Sequence, residues 1–449
     1  MPTREIAAAP GGLPLLGHAL RLRNDPLEFF TSLPQFGDIV QIRLGPERAF
    51  VVSSAELARE VLVVQPRKFD KGAQIRGARG HIGDGLLSSE GDVHKQQRRL
   101  MQPAFRRERI AEYAQTMREQ IIARTDAWHS GKVLDVRVEM TALTLAVTAK
   151  ALISAEPGKD LVAEMQHNLP RLLDLMYQQL TTPLPALNKL PLPRNREYAA
   201  GVARLHSMID NVIADYRQSE NPRHDLLSTL LEETDEETGR GLSDAEIRDQ
   251  ITTILVAGSE TTAATLAWVF GVLAEHPDVE VRLHAEVDDV LDGRPAEYAD
   301  IPRLTYTAQV ISEALRCYPP AWIITRRATE DLELEGYPIP KGASVIVSSY
   351  IVQRDPRVFS DPEKFDPERW LPERAAQIPR DAIIQFGNGP CKCIGDVFAI
   401  VEGTLALATI AARWRLRAEA VTTMEKIAAS TYTPRNLFLT AEKRRDRTS

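Results

Sequence analysis

Hydrophobic positions fall into two rhythms along this chain. Ile39–Leu44 and Ala49–Val52 are short β-branched runs parted by Gly45-Pro46. They read as two strands joined by a turn, giving a small antiparallel sheet near the N-terminus. Ile323–Thr325 and Ala343–Ser348 are β-like in the same way. Elsewhere the spacing is helical: a short helix over Pro26–Pro34, another from Gly91 to the Pro103 region, and most of 110–240, interrupted at Thr182–Pro185 and Leu190–Pro193. The expectation is a mainly α chain with small β-sheets. The charged run Glu232–Glu237 reads as a solvated turn between helices.

The longest helical pattern opens on a capping box, Ser243-Asp244-Ala245-Glu246, and runs without proline to His276, just before Pro277. At the usual rise per residue it is roughly 50 Å long. Its middle, Ala257-Gly258-Ser259-Glu260-Thr261-Thr262, suits a helix poorly. Gly258 alone costs about 1 kcal/mol relative to alanine, and Thr261 can bond back to the Ala257 carbonyl and loosen the turn. A close helix–helix contact would explain the glycine. A buried acid beside a hydroxyl is better explained as a proton path, because an unpaired buried carboxylate is costly.

A second apolar helix is expected over Ile394–Ala412, and the loop before it reads Phe386-Gly387-Asn388-Gly389-Pro390-Cys391-Lys392-Cys393-Ile394-Gly395. A sulfur near a helix start meets unpaired amides and the positive dipole end, which favours the metal-ligating thiolate. The glycines allow tight turns and close approach to a flat group. Three readings stand on the residues alone: a haem thiolate, half of a zinc site, or an inert buried cysteine. Zinc would need two further ligands, and Cys317 stands alone far upstream.

With 449 residues and 43% hydrophobic content, the chain can bury a large core, and no compositional break divides it. A single domain over 1–449 is expected. A net charge of −7 gives no support to nucleic-acid binding. Three cysteines fit a reducing compartment. No signal-like stretch opens the chain, and the longest apolar run, Val397–Trp414, is broken by Glu402. A cytoplasmic protein without a membrane anchor follows as the expectation.

Several motifs together resemble the cytochrome P450 monooxygenases. The loop carries F-G-x-G-x-x-x-C-x-G-x-x-x-A, Ala257–Thr262 matches A-G-x-E-T-T, and Glu313-Ala314-Leu315-Arg316 with Arg369 matches E-x-x-R and its partner arginine. The resemblance implies that family's fold, a helix-rich core sandwiching haem b plus a smaller β-rich region. It also implies Cys393 as axial thiolate, Phe386 and Gly395 beside the cofactor, and His94, Arg98 and Arg326 on its propionates. Thr261 would hold and protonate dioxygen, with Glu260 relaying protons. Glu313, Arg316 and Arg369 would be structural, and Cys317 a core residue. Val256, Ala257, Trp322, Ile323, Tyr432 and Thr433 would line the substrate pocket, under a mobile lid within 110–240. Cys391 departs from the pattern, standing where the family usually has a basic propionate contact.

In detail, Gly12–His18, Gln97–Arg99 with Gln102–Phe105, and Arg369–Ala376 resemble actinobacterial members that oxidise cyclised sesquiterpenes. That implies a small apolar substrate, O2, a ferredoxin-type donor and a monomer. The basic group Lys95, Arg98, Arg99, Arg106, Arg107 and Arg109 offers a docking patch for such a donor or an ordinary solvated surface. Two rivals are a peroxide-driven fatty-acid hydroxylase, which typically lacks the acid–alcohol pair, and a non-catalytic haem carrier.

Overall fold

The computed structural model describes residues 4–153, 190–219, 225–235, 237–419 and 424–444, with scattered positions between 164 and 188. The Pro-rich stretch Thr182–Pro185 lies outside the described residues. The chain divides into two compact units woven from separate stretches. The first takes 1–75, 312–393 and 426–433; the second takes 76–311, 394–425 and 434–449.

The first unit is built on a six-stranded sheet in the order Ala7–Ala8, Ile39–Leu44, Glu47–Val52, Ser344–Val347, Ile324–Ala328, Phe69–Asp70. The expected N-terminal hairpin is present, with Ile39 opposite Val52 and Leu44 opposite Glu47. It does not stand alone. Glu47–Val52 pairs in parallel with Ser344–Val347, which pairs antiparallel with Ile324–Ala328. Val52, Val345 and Val347 are fully buried, and Phe50, Phe69 and Phe359 join them in one apolar cluster. Burial on both faces suits a strand as β-branched as Ser344–Val347.

The second unit is mainly helical. Asp244–Glu275 forms one unbroken helix, and the Ser243/Glu246 capping box is made in both directions. It packs against Val136–Leu152, and its carboxyl half is buried from Thr262 to Leu273. By length and composition it could cross a membrane, but 78% of its apolar window is buried inside the fold. It is a core helix. Asp396–Arg413 is the other central helix, buried from Val401 to Ala412. A three-stranded antiparallel sheet, Trp414–Ala418, Phe438–Lys443 and Lys132–Asp135, completes the unit.

The turn expected to be solvated is exposed at Glu232, Glu233, Thr234 and Glu237, with one exception. Asp235 is buried and accepts hydrogen bonds from Arg99 Nε (2.8 Å) and from the amide and hydroxyl of Thr238 (2.9 Å each). Arg99, ahead of the other contacts, holds its carboxyl down at about pH 2. The same contact alters the basic group. Lys95 pairs with Asp92, Arg99 with Asp235 and Glu237, and Arg109 with Glu112, while Arg106 and Arg107 are exposed. Half of the charges expected to meet a donor are neutralised within the chain.

Candidate active site

The cysteine loop takes its shape from backbone. Gly387 N–H donates to Ile384 O at 2.9 Å, Lys392 N–H to Gly389 O at 3.1 Å, and Cys393 N–H to Phe386 O at 2.9 Å. Gly387 (φ +65) and Gly389 (φ +68) hold left-handed conformations that disfavour any side chain. A Cβ at Gly389 would strike the Leu62 carbonyl, on the single π-turn Glu60–Val64. A Cβ at Gly387 would touch only Cys391 O and Ile324 Cδ1, each at 3.9 Å. The loop therefore lies beside the strand that carries Arg326. On that strand Arg327 is committed to Asp70 at 3.2 Å, while Arg326 donates to Thr325 O at 2.9 Å. Alternation along a strand puts the two arginines on opposite faces.

The three cysteines differ. Cys317 is buried, and burial first, then Glu313, pushes its thiol up to about 12. That makes it inert. Cys391 and Cys393 are both exposed on the loop, Cys391 closing the 3₁₀ turn Gly389–Cys391. Among the described residues no cluster of three or more His, Cys, Asp or Glu could hold a metal ion. That leaves the zinc reading without further ligands among the described residues, and it leaves two accessible sulfurs, Cys391 and Cys393, on a glycine-shaped loop that suits a haem ligand.

The long helix divides its odd hexapeptide between two tasks. Gly258 faces Thr148, whose Cγ2 would lie 3.2 Å from an added Cβ, and Ser259 O accepts from Thr144 Oγ1 at 2.9 Å. This half is a helix–helix contact. Val256, Ala257, Glu260 and Thr261 are instead half-buried, whereas Leu255, Ser259 and Thr262 are buried. Thr261 Oγ1 donates to Ala257 O at 2.9 Å, and Thr265 Oγ1 donates to Thr261 O at 3.0 Å. The first of these back-bonds anchors the half-buried Thr261 hydroxyl, and the second occupies the Thr261 carbonyl.

His94 is buried and Arg98 half-buried, one turn apart on Gly91–Met101. Gly395 directly precedes Asp396–Arg413, with only Phe105 near a Cβ, at 3.7 Å. In the first unit, Trp322 is buried, edge-on to Phe30, and donates to Ala429 O at 3.0 Å. Tyr432 is fully buried between Tyr318 and Tyr350; Phe386, Ile323 and Thr433 are half-buried. Trp322 and Tyr432 are fixed anchors, able to form a wall but not to adapt.

Glu313 gathers a buried cluster. Arg316 reaches both of its oxygens (2.8 and 2.9 Å), Arg369 Nε donates at 3.3 Å, and Trp370 Nε1 donates at 2.9 Å. Arg316 also donates to the carbonyls of Gln353, Pro362 and Lys364. Every charge of the cluster is paired, the condition under which buried ions are tolerated.

These features carry a family assignment, and comparison supplies it. The cytochrome P450 profile matches residues 8–444. The chain is a cytochrome P450. It is 48% identical to cyclooctatin synthase of Streptomyces melanosporofaciens over 91% of this chain and 89% of that protein. It is 42% identical to pentalenene oxygenase of Streptomyces avermitilis over 96% of each. The solved cytochrome P450DA heme domain superposes with a TM-score of 0.90 at 28% identity, covering 99% of both chains. Membership makes this P450 a monooxygenase that uses haem iron with a thiolate ligand and O2.

Sequence reading missed two neighbours of the motifs. The Leu62 turn that fixes Gly389 carries no local signature. Glu402 was visible only as a break in an apolar run, yet its carboxyl is completely buried and neither oxygen has a well-formed hydrogen bond among the described residues. Burial holds its pKa well above the ordinary glutamate range, against a smaller opposing effect of Thr262.

Proposed function

We propose that this P450 hydroxylates an apolar cyclic terpenoid, a sesquiterpene such as pentalenene being the narrowest candidate, with a second oxidation to an aldehyde at the same carbon. The observation that carries it is the half-buried pair Glu260–Thr261 in the apolar middle of a helix that is buried from Thr262 to Leu273. A carboxyl and an anchored hydroxyl there can pass protons without opening the helix to water. Val256 and Ala257 beside them offer only hydrocarbon, and the bacterial relatives are named for cyclic terpenoids. Cys393, two residues before Gly395, is the ligand. Phe386 and Gly395 pack beside the haem, and His94, Arg98 and Arg326 hold its propionates. Haem supplies dioxygen activation when bound. Val256, Ala257, Trp322, Ile323, Tyr432 and Thr433 wall the pocket. Electrons come from a ferredoxin and its reductase, with Arg106 and Arg107 as the remaining docking charges. The interleaving of the two units supports treating the chain as one catalytic domain, monomeric and cytoplasmic, working in terpenoid antibiotic biosynthesis.

The test is a spectral titration. Reduced protein with carbon monoxide should absorb at the thiolate-haem position, and cyclic sesquiterpenes should shift the ferric spin state. A shift with fatty acids and none with terpenes would favour the fatty-acid reading instead. Thiolate spectra surviving Cys393→Ala but lost in Cys391→Ala would move the ligand. Thr261→Ala should raise electron consumption per product, and unchanged coupling would count against the relay.

A further inference from the structure

Leu15 is an anomaly of the fold. It is 88% exposed and holds a left-handed backbone, φ +62. A leucine gains nothing from either condition: exposure forfeits its burial, and the left-handed region suits glycine or asparagine. Strain of this kind points outward, to something the residue does beyond its own chain.

Its surroundings are built to present it. The turn is closed by paired hydrogen bonds between Leu13 and Gly17, both 2.8 Å. Gly17 (φ +59) is pressed on the neighbouring strand, where a Cβ would meet Arg43 O at 2.3 Å. His18 N–H donates to Arg43 O at 2.7 Å, and Gly45 N–H to Leu16 O at 3.1 Å. The tip is thus rigid, and it offers Leu13 (47%), Leu16 (48%) and Leu20 (42%) alongside Leu15. Four exposed leucines within eight residues form a patch, not scattered surface apolar atoms.

The rim is basic in a chain of net charge −7. Arg43 and Arg48 stand directly opposite each other in the hairpin, both exposed. Like charges facing across two strands destabilise them. Arg21 and Arg23 follow on the helix Ala19–Asn24, Arg21 lying over Phe29 and donating to Pro10 O. Against these four stand Glu47 on the same hairpin, the exposed Glu28 and Asp25, which is engaged in capping the next helix through the Glu28 amide. A rigid apolar tip ringed by arginines is the footprint of a surface that inserts shallowly among anionic headgroups.

We infer that the Leu13–Leu20 turn docks this P450 peripherally on an anionic lipid bilayer, with Leu15 and its neighbouring leucines entering the acyl boundary and Arg21, Arg23, Arg43 and Arg48 meeting lipid phosphates. This goes beyond the substrate reading and stands without it. The contact is interfacial and involves no membrane-spanning helix.

The test uses the haem-loaded protein and vesicles of phosphatidylcholine with or without phosphatidylglycerol. The protein should sediment with phosphatidylglycerol vesicles and be released by salt. Leu15→Asn with Leu16→Asn should weaken that partitioning about tenfold. Because asparagine suits the left-handed position, this variant should also keep or raise the thermal midpoint, which excludes misfolding as the cause. Arg43→Gln with Arg48→Gln should reduce the preference for phosphatidylglycerol and the salt dependence, and an unchanged preference would overturn the role given to the arginines. No vesicle binding, or equal binding by wild type and the leucine variant, overturns the inference. So does a concentration-dependent dimer in sedimentation that the leucine variant abolishes, which would make the patch a contact between two copies of the chain.

Discussion

Gly389 and Leu62 meet so closely that a Cβ on the glycine would fall 2.0 Å from the leucine carbonyl oxygen. Gly387 shares the left-handed backbone, φ +65 against +68, but has nothing nearer than 3.9 Å. The two glycines therefore separate backbone strain from collision. Gly387→Ala should cost about 1 kcal/mol in urea unfolding. Gly389→Ala should cost clearly more and lower the haem content of purified protein, because the 60–64 turn or the cysteine loop must move. Equal costs would show that the turn yields freely.

The Glu313 cluster predicts an asymmetric response. Glu313→Ala strands the buried Arg316 and Arg369 and should destabilise by about 3–5 kcal/mol, enough to reduce soluble yield. Trp370→Phe removes one of the donors to Glu313 and should cost only about 1 kcal/mol in the same measurement.

Glu402 makes stability fall on the alkaline side. Its folded pKa is raised above the unfolded value of 4.5, so the folded state holds its proton where the unfolded chain has released one. The corresponding stability is fully present below about pH 4.5 and is lost as pH rises toward the folded pKa. Glu402→Gln, which has no proton to retain, should gain midpoint relative to wild type between pH 5 and pH 8. Parallel curves would mean that the carboxyl is solvated.

His284 works on the acid side. Burial, then Arg444 and Arg415, pushes its pKa down from 6.5 to about 4. The unfolded chain takes up a proton below pH 6.5 that the folded protein refuses until about pH 4, so stability declines as pH falls through that window. His284→Gln should flatten the decline in thermal midpoint between pH 7 and pH 5.

What was legible in the chain was chiefly what is local. The Ser243–Glu246 capping box, the helix end before Pro277 and the Thr261–Ala257 back-bond follow from neighbours in sequence, and the structure forms all three. The hairpin 39–52 was legible too, and so were β-like runs at 343–348 and 323–325, but not their pairing into one sheet with it, because strand partners leave no mark at such separation. Asp235 was misread for the same reason. A run of acids looks solvated until the one long-range partner, Arg99, is known. Gly258 and Ser259 proved to face Thr148 and Thr144, while Glu260 and Thr261 of the same motif are half-buried. Periodicity alone could not divide them.

The pairing of Glu47–Val52 with Ser344–Val347 also sets an order of assembly. On a ribosome, the N-terminal hairpin emerges with one edge unpaired and must wait until nearly three hundred further residues are made before its central partner exists. The helices of the second unit, from 76 to 311, come out during that delay and can pack among themselves first. A synonymous change that slows translation between 312 and 347 would prolong the exposure of Ala49–Val52 without altering the finished enzyme.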